Sequence, residues 1–307
     1  PLYQSLYLIG YILLGFAMWF VYQLGFDISD SHYALYLKLK GIRQDKIALE
    51  SVLNGRSIEE PMDKDAGIKL KIDHFSKKYG INKHYSVHDA SLEVNAGEVF
   101  GFLGPNGAGK STTIKSIVGI QPITEGTIEV CGYDVKSQSV QAKSKIGFVP
   151  DHYALYEKLT GREYINYIAD LYMVKKEDRD ERIAKYTKMF KLEDAIDREI
   201  KSYSHGMKQK VAIISALVHE PKLLVLDEPF VGLDPKASYE LKNVMHELCA
   251  KGTAIFFSTH VLEVAEKLCN KIAIIKQGVI VETGNTEDII GKKSLEEVFL
   301  EVEDENK

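Results

Sequence analysis

The sequence predicts an α/β domain with a mainly parallel sheet, and three observations support this. First, strand-like and helix-like segments alternate along the chain from about residue 98, an order that places helices on the faces of a parallel sheet. Second, a glycine-rich turn at 104–109 joins an apolar strand to a helix. Third, the apolar run 223–226 ends in an acidic pair, as a strand buried on both faces can do beside a ligand site.

Composition narrows the class of protein. A chain of 307 residues can form one large or two modest domains, and 45% hydrophobic with 27% charged residues is ordinary for a globular protein. The net charge of −5 provides no global basic field, so no nucleic-acid partner is expected. Three distant cysteines without a C-x-x-C pair argue against a zinc site or a disulfide framework: Cys131, Cys249 and Cys269.

The first segment, residues 1–26, is predicted to be a transmembrane helix. Residues 2–26 contain no charged residue, and a helix over them would reach about 37 Å, enough to cross a bilayer core. A buried helix of a soluble domain is the alternative, and the absence of a basic start disfavours a signal peptide. The predicted span starts at the first residues of the sequence. We therefore expect it to be either the last membrane helix of a longer, fused polypeptide or a membrane anchor.

The flank of this segment predicts its orientation. Basic residues outnumber acidic ones over 31–50: Lys38, Lys40, Arg43 and Lys46 against Asp45 and Glu50. This excess marks the C-terminal side as cytoplasmic, which predicts a protein of the plasma membrane with its main domain on the cytoplasmic side. Residues 27–67 are interpreted as an amphipathic or linker segment, either on the membrane surface, on a partner, or as a solvated helix.

The main domain is predicted over 68–307. Two β-like runs come first, at Ile68–Phe75 and Tyr85–Val94. Five strands of the parallel sheet are then expected near Val99–Leu103, Lys145–Val149, Lys222–Asp227, Ala254–Ser258 and Lys271–Ile275.

The turn after the first of these strands has the spacing G-x-x-x-x-G-K-S, at Gly104, Gly109, Lys110 and Ser111. Glycines let the backbone fold around an anion, and the N–H groups of the turn and of the following helix then point at phosphate oxygens. Lys110 is expected to bridge the outer phosphates and the Ser111 hydroxyl to bind Mg²⁺. A glycine-rich turn without a ligand is the alternative; the full motif favours a nucleoside triphosphate.

The acidic pair after residues 223–226 predicts the chemistry. Asp227 emerges at the carboxyl end of its strand, where it is expected to hold Mg²⁺ directly or through water. Glu228 follows and can act as general base on the attacking water. Alternatively, the pair only caps the next turn.

A second anion site is predicted in "SYSHGMKQK", residues 202–210. Ser204 and Gly206 stand where a helix N-terminus exposes its amides. One nucleotide needs one such cradle, so this one is interpreted as serving a nucleotide bound by another copy or a partner. A plain capped helix is the alternative.

Together these motifs make residues of about 68–307 resemble an ATP-binding cassette domain, the motor of ABC transporters. The resemblance implies a P-loop NTPase fold of the cassette type, with an antiparallel β subdomain and a helical subdomain at about 155–220. It implies ATP and Mg²⁺ as cofactors. The nucleotide-binding residues that it assigns are Tyr79 for adenine stacking, Ser204 and Gly206 in the signature motif that touches the ATP of the opposite subunit, Asp234 in the D-loop, and, in the Walker A loop, Gly104, Pro105, Asn106, Gly107, Ala108, Gly109, Lys110, Ser111 and Thr112. Gln209 also matches the signature motif, and Gly232 and Leu233 also match the D-loop.

The same resemblance makes Glu228, His260 and Lys110 catalytic, with His260 of "FFSTH" matching the switch histidine. The tail "SLEEVFLEV" is similar to that of cassettes serving ABC-2-type exporters. His205 and Met207 depart from the usual signature motif, but the form Y-S-x-G-M-x-Q is similar to that of drug- and bacteriocin-resistance exporters. Asp151 takes the place of the Q-loop glutamine, where a carboxylate could still reach Mg²⁺ or the lytic water, so it is counted among both nucleotide and metal residues.

The resemblance therefore predicts the ATP-hydrolysing motor subunit of an exporter. Its partners would be a second cassette, in a homodimer or heterodimer, and a polytopic membrane permease, separate or fused. The main alternative is a membrane-tethered regulatory ATPase. A ribosome-associated or DNA-repair ATPase is disfavoured because the chain shows no second cassette, coiled-coil insert or basic face.

Overall fold

The computed structural model describes residues 67–80, 84–152, 154–291 and 293–304. The predicted span at 1–26 and the segment 27–66 lie outside these residues. Among the helices that are described, none combines the length and the apolar composition needed to cross a membrane.

The described chain contains a six-stranded sheet and a four-stranded sheet. In chain order the elements are β1 Ile68–Lys78, β2 Tyr85–Asn95, β3 Val99–Leu103, α1 Lys110–Ile117, β4 Glu125–Val130, β5 Tyr133–Asp134, α2 Ser139–Ser144, β6 Ile146–Val149, α3 Gly161–Leu171, α4 Lys176–Met189, α5 His205–Leu217, β7 Leu223–Asp227, α6 Pro235–Ala250, β8 Ala254–Thr259, α7 Leu262–Leu268, β9 Lys271–Lys276, β10 Val279–Asn285, α8 Thr286–Ile290 and α9 Leu295–Asp304.

The larger sheet has the strand order β10-β9-β3-β8-β7-β6 and is parallel except at β10, which pairs antiparallel with β9. The smaller sheet is antiparallel in the order β2-β1-β4-β5. The mainly parallel sheet and the antiparallel β-sheet that the sequence predicts are thus both present, and the five predicted parallel strands agree with the observed ones to within one residue at either end.

Three strands were not expected from the sequence: β4, β5 and β10. Most residues of β10 and half of β4 are exposed, and β5 has two residues. They therefore lack the continuous apolar run that identifies the central strands. Their existence is decided by pairing: β4 pairs with β1 and β10 with β9, both of which are identifiable in the sequence, and β5 then pairs with β4.

The hydrophobic core lies on both faces of the parallel sheet because side chains alternate along each strand. In β7, Leu224 and Leu226 pack into the cluster that contains helices α3 to α7, whereas Leu223 and Val225 pack into the cluster that contains α1 and the antiparallel sheet. All residues of β3 and β7 are buried. The carboxyl ends of these buried strands carry the polar residues of the candidate site.

Candidate nucleotide-binding site

The phosphate loop follows β3 and needs glycine for two physical reasons. A Cβ on Gly104 would lie 2.3 Å from the Ile275 carbonyl oxygen, and one on Gly109 would lie 2.8 Å from that of Ser86. Gly107 has φ of +81°, and a Cβ there would meet nothing within 4 Å. The loop is therefore pressed onto β2 and β9 at its two ends and open at Gly107, as a phosphate cradle requires.

Lys110 begins α1 and points its amine back into the loop. The side chain is 6% exposed, and its amine donates to the carbonyl oxygens of Gly104 at 2.7 Å and Pro105 at 3.2 Å. It also lies 3.5 Å from Glu228 Oε1. The buried cation is thus held at the mouth of the loop, ready to exchange these oxygens for phosphate oxygens.

The remaining residues of the phosphate loop close its turn and lead into α1. Ala108 is buried and donates its N–H to the Pro105 carbonyl at 3.2 Å, which closes the turn. Asn106 is exposed, and Ser111 and Thr112 are half-buried in the first turn of α1.

Asp227 ends β7 and is 2% exposed. Its Oδ1 accepts a hydrogen bond from Ser258 Oγ at 2.5 Å, and Ser111 also donates to this carboxylate. Burial raises the pKa of Asp227, the two hydroxyls act against this rise, and the negative charges of Asp151 and Glu228 add to it. The three predicted metal residues, Ser111, Asp151 and Asp227, are therefore close neighbours in an electronegative pocket that a cation would stabilise.

Glu228 lies between a buried cation and an imidazole. Its Oε2 is 3.0 Å from His260 Nδ1, and its Oε1 faces Lys110. Its backbone has φ of +50°, and its N–H donates to the oxygens of Ser258, at 3.1 Å to Oγ and 3.2 Å to the carbonyl. All three predicted catalytic residues thus form one chain of contacts.

Asp151 follows β6 and is at the edge of this pocket, with 43% of its side chain exposed. Its Oδ1 accepts the N–H of His152 at 2.7 Å. The His152 side chain is 97% exposed. Tyr153 lies outside the described residues. Asp151 is therefore the most accessible carboxylate of the group.

These residues fit a magnesium–nucleotide complex. Mg²⁺ keeps several waters and is commonly held by one or two carboxylates together with substrate phosphates, not by a cage of protein ligands. Within the described ranges no group of three or more histidine, cysteine, aspartate or glutamate side chains is placed to hold a metal ion by itself. Ser111 and Asp227 would hold the ion, with phosphate oxygens and water completing its coordination.

Tyr79 follows β1 and is anchored to the phosphate-loop side of the domain. Its hydroxyl donates to Gln121 Oε1 and lies 3.3 Å from Thr112 Oγ1. The Lys77 amine is 5.0 Å from the ring centroid, and 38% of Tyr79 is exposed. An aromatic ring fixed beside the phosphate loop is able to stack on a base.

The signature segment forms a capped, accessible helix end. Ser204 is the N-cap of α5 and accepts the Met207 N–H at 3.3 Å, and a Cβ on Gly206 would meet nothing within 4 Å. Gln209, in the same motif, is 3% exposed and donates to the Pro229 carbonyl, so it faces the interior of its own domain. Only Ser204 and Gly206 of the three predicted residues lie on the accessible side.

Asp234 of the predicted D-loop caps α6. Its Oδ1 accepts the N–H groups of Lys236 and Ala237, each at 2.9 Å. These bonds, that to Ala237 first, hold the pKa of Asp234 below its usual value. The helix that follows the acidic pair Asp227–Glu228 is thus capped by Asp234 and not by either member of the pair.

Two residues of the site were missed by the sequence interpretation. Ser258 faces Asp227 because the two are paired across the parallel strands β7 and β8. The sequence signal for it was its place directly after the apolar run 254–257, as a polar residue at the end of a buried strand. Gln121 had no signal, since it lies in an irregular loop and meets Tyr79 only in the tertiary structure.

Comparison with known proteins decides the family. A family model described as ABC transporter matches residues 87–231. The linearmycin resistance ATP-binding protein LnrL of Bacillus subtilis is 36% identical over 223 residues, covering 73% of this chain and 71% of that protein. The chain belongs to the ABC transporter family.

Solved structures of this family superpose on the chain. A structure described as the ATP-binding subunit of an ABC transporter has a TM-score of 0.73 at 34% identity and covers 76% of this chain and 99% of that one. A dimeric ATP-binding cassette in a post-hydrolysis state, bound to ADP and phosphate, has a TM-score of 0.64 at 25% identity, with 71% and 98% covered. The chain is therefore an ATP-binding subunit of an ABC transporter, an ATPase whose cofactors are ATP and Mg²⁺.

Proposed function

We propose that this chain is the motor of an ABC-2-type exporter, in which ATP-driven closure of two cassettes moves a substrate across the membrane. The observation that carries the proposal is the chain of contacts Lys110–Glu228–His260, at 3.5 and 3.0 Å. A carboxylate between a cation and an imidazole can take a proton from water while its own position is fixed from both sides.

Each residue has a role in this proposal. The substrate is ATP, bound with Mg²⁺, and hydrolysis breaks its terminal phosphoanhydride bond. Glu228 accepts a proton from the attacking water, and His260 orients Glu228. Lys110 and the amides around Gly107 balance negative charge on the phosphates. Tyr79 stacks on the adenine, and Asp151 senses the metal or the water from the edge of the pocket.

The second half of the site is proposed to come from another cassette. Ser204 and Gly206 present an accessible helix end, and the amides and dipole of a helix N-terminus attract anions. Each ATP would then lie between the Lys110 loop of one subunit and the Ser204 helix of the other. A relative of this chain forms a dimer in a post-hydrolysis state, which supports this arrangement.

Export and membrane location are proposed on separate grounds. The relative LnrL is named for linearmycin resistance, and the tail at 294–302 is similar to that of exporter cassettes. A polytopic permease, separate or fused, would provide the pathway, because the single span predicted at 1–26 cannot enclose one. Copurification of such a partner with the full chain supports transport, whereas a chain that is membrane-bound and active without one supports the tethered regulatory ATPase.

The substitution Glu228→Gln tests the chemistry. It keeps the size of the side chain and removes the base, so turnover should fall by about 10²–10⁴-fold, with ATP affinity little changed. Steady-state hydrolysis and equilibrium binding of ATP are the two measurements, and Glu282→Gln on the exposed strand β10 is the matched control. Hydrolysis by Glu228→Gln at the native rate would remove Glu228 as the base.

A further inference from the structure

The first half of α5 is fastened to the chain segment that follows Glu228. Gln209 Nε2 donates to the Pro229 carbonyl at 2.5 Å, and Lys210 Nζ lies 3.0 Å from Glu240 Oε2. The His205 ring lies against Gly232, where an added Cβ would come within 2.9 Å of its Nε2. Three contacts thus connect α5 with residues 229–240.

Gln209 makes the contact nearest to the catalytic carboxylate. Its amide nitrogen bonds to the carbonyl of the residue after Glu228, whereas its Oε1 is buried and has no hydrogen-bond partner among the described residues. A buried acceptor without a partner is unfavourable, so an apolar side chain of similar length would suit the core at least as well. The hydrogen bond to Pro229 is what the glutamine adds.

Glu228 needs to be held from both sides. Its φ of +50° is a left-handed conformation that residues other than glycine rarely adopt, and such a residue persists only where its surroundings fix it. On the N-terminal side, Ser258 accepts the Glu228 N–H. On the C-terminal side, the Glu228 carbonyl accepts from Val231 at 3.2 Å and the next carbonyl accepts from Gln209.

We propose that Gln209 is a positioning residue that ties the backbone of Glu228 to the signature helix α5. The proposal rests on the function proposed above, in which the Ser204 end of α5 grips the nucleotide of a second copy of this chain or a paralogous cassette. Gln209 then connects, within one subunit, the base of one ATP site with the helix that closes the other. Displacement of α5 by a partner's nucleotide is transmitted to Glu228 through the peptide group of Pro229.

The test replaces Gln209 by methionine, which has nearly the same length and cannot donate. Turnover should fall about tenfold or more because the carboxylate is no longer fixed, while the Michaelis constant for ATP stays within about twofold and the urea midpoint of unfolding does not fall. Gln141→Met on α2 makes the same chemical change away from the site and should leave all three quantities unchanged.

A second measurement separates this inference from the proposed function. In a Glu228→Gln background, ATP-dependent association is followed by sedimentation, and adding Gln209→Met should leave association intact because Ser204 and Gly206 are unaltered. Native turnover in Gln209→Met, or a parallel loss of turnover, ATP affinity and stability, overturns the positioning role while the motor function stands. Absence of ATP-dependent association of Glu228→Gln, both with itself and with the paralogous cassette, overturns the two-cassette function and the link to a second site.

Discussion

Gly104 and Gly107 lie three residues apart in the phosphate loop, and the chain needs glycine at the two positions for different reasons. At Gly104 the backbone of β9 leaves no room for a Cβ, whereas at Gly107 there is room but the backbone is left-handed. The first requirement concerns packing. The second concerns conformation on the open side of the loop, where the nucleotide is predicted to bind.

The two glycines should therefore respond differently to alanine. Gly107→Ala should cost about 1–2 kcal/mol of unfolding free energy through its φ, and it should weaken ATP binding because the new methyl group enters the phosphate cradle. Gly104→Ala should cost more, about 3 kcal/mol or above, because a backbone carbonyl must move. Urea unfolding and calorimetric ATP binding measure the two effects.

Gly132 is the matched control for Gly107. It has φ of +77° and open space for a Cβ, but it lies in the turn between β4 and β5. Gly132→Ala should lose the same stability as Gly107→Ala without any change in ATP affinity. Equal losses of affinity in both variants would contradict the assignment of Gly107 to the nucleotide.

At the scale of elements, His219, two residues after α5, joins the end of this helix to β6 and to the end of α3. Its ring stacks on Tyr172 with 3.7 Å between centroids and 12° between planes, and its Nε2 donates to the Ile146 carbonyl at 3.0 Å. Burial lowers the pKa of His219 to about 4, with a smaller contribution from the charge of Arg182, while the bond to Ile146 acts in the opposite direction. Burial therefore favours the neutral form of His219.

This junction predicts a pH dependence of stability. Unfolded histidine has a pKa of about 6.5, so acid protonates the unfolded chain first, and the contribution of His219 is complete above pH 6.5 and is lost as the pH falls towards 4. Between pH 7.5 and 5 the loss should be about 2 kcal/mol. His219→Gln, which can still donate to Ile146, should not show it.

The measurement is the difference between the unfolding free energies of wild type and His219→Gln across this range. Carboxylate titrations contribute equally to both proteins and cancel. A difference that is the same at pH 7.5 and pH 5 would contradict the buried, neutral histidine.

At the scale of the whole molecule, the parallel sheet assembles the candidate site from distant parts of the sequence. The strands β3, β6, β7 and β8 run in the same direction, so their carboxyl ends lie at one edge, followed by Gly104, Asp151, Glu228 and His260. Successive side chains of β7 pack on opposite faces of the sheet, so a slip of one residue would place each of them on the wrong face. The core is thus the reason that the catalytic groups meet.

The predicted membrane span is also a property of the whole chain, and it remains a prediction. The sequence has a single tryptophan, Trp19, within the charge-free segment. When lipid vesicles are added to the full chain, its fluorescence should move to shorter wavelength and should be reduced by quenchers attached to the lipid tails. The variant Trp19→Phe provides the background. Emission typical of water, with vesicles in excess, would contradict the span.

The sequence by itself determined the central strands, the phosphate loop and the acidic pair. These follow from local rules: continuous apolar runs form strands buried on both faces, and a glycine turn between a strand and a helix presents amides to an anion. The residues Lys110, Asp227, Glu228 and His260 could be named because their chemistry is evident from type and spacing, and the structure brings these four together.

Only the tertiary structure decided which residues support that site. Ser258 on Asp227, Gln121 on Tyr79 and Gln209 on Pro229 are contacts between residues at least 20 apart in sequence, and no local pattern predicts that these pairs will meet. The strands β4, β5 and β10 exist because neighbouring strands offer hydrogen-bonding partners, not because their own residues are apolar. Local sequence determines the strands and turns that depend on neighbouring residues. Contacts between distant residues depend on which surfaces the packed core brings together.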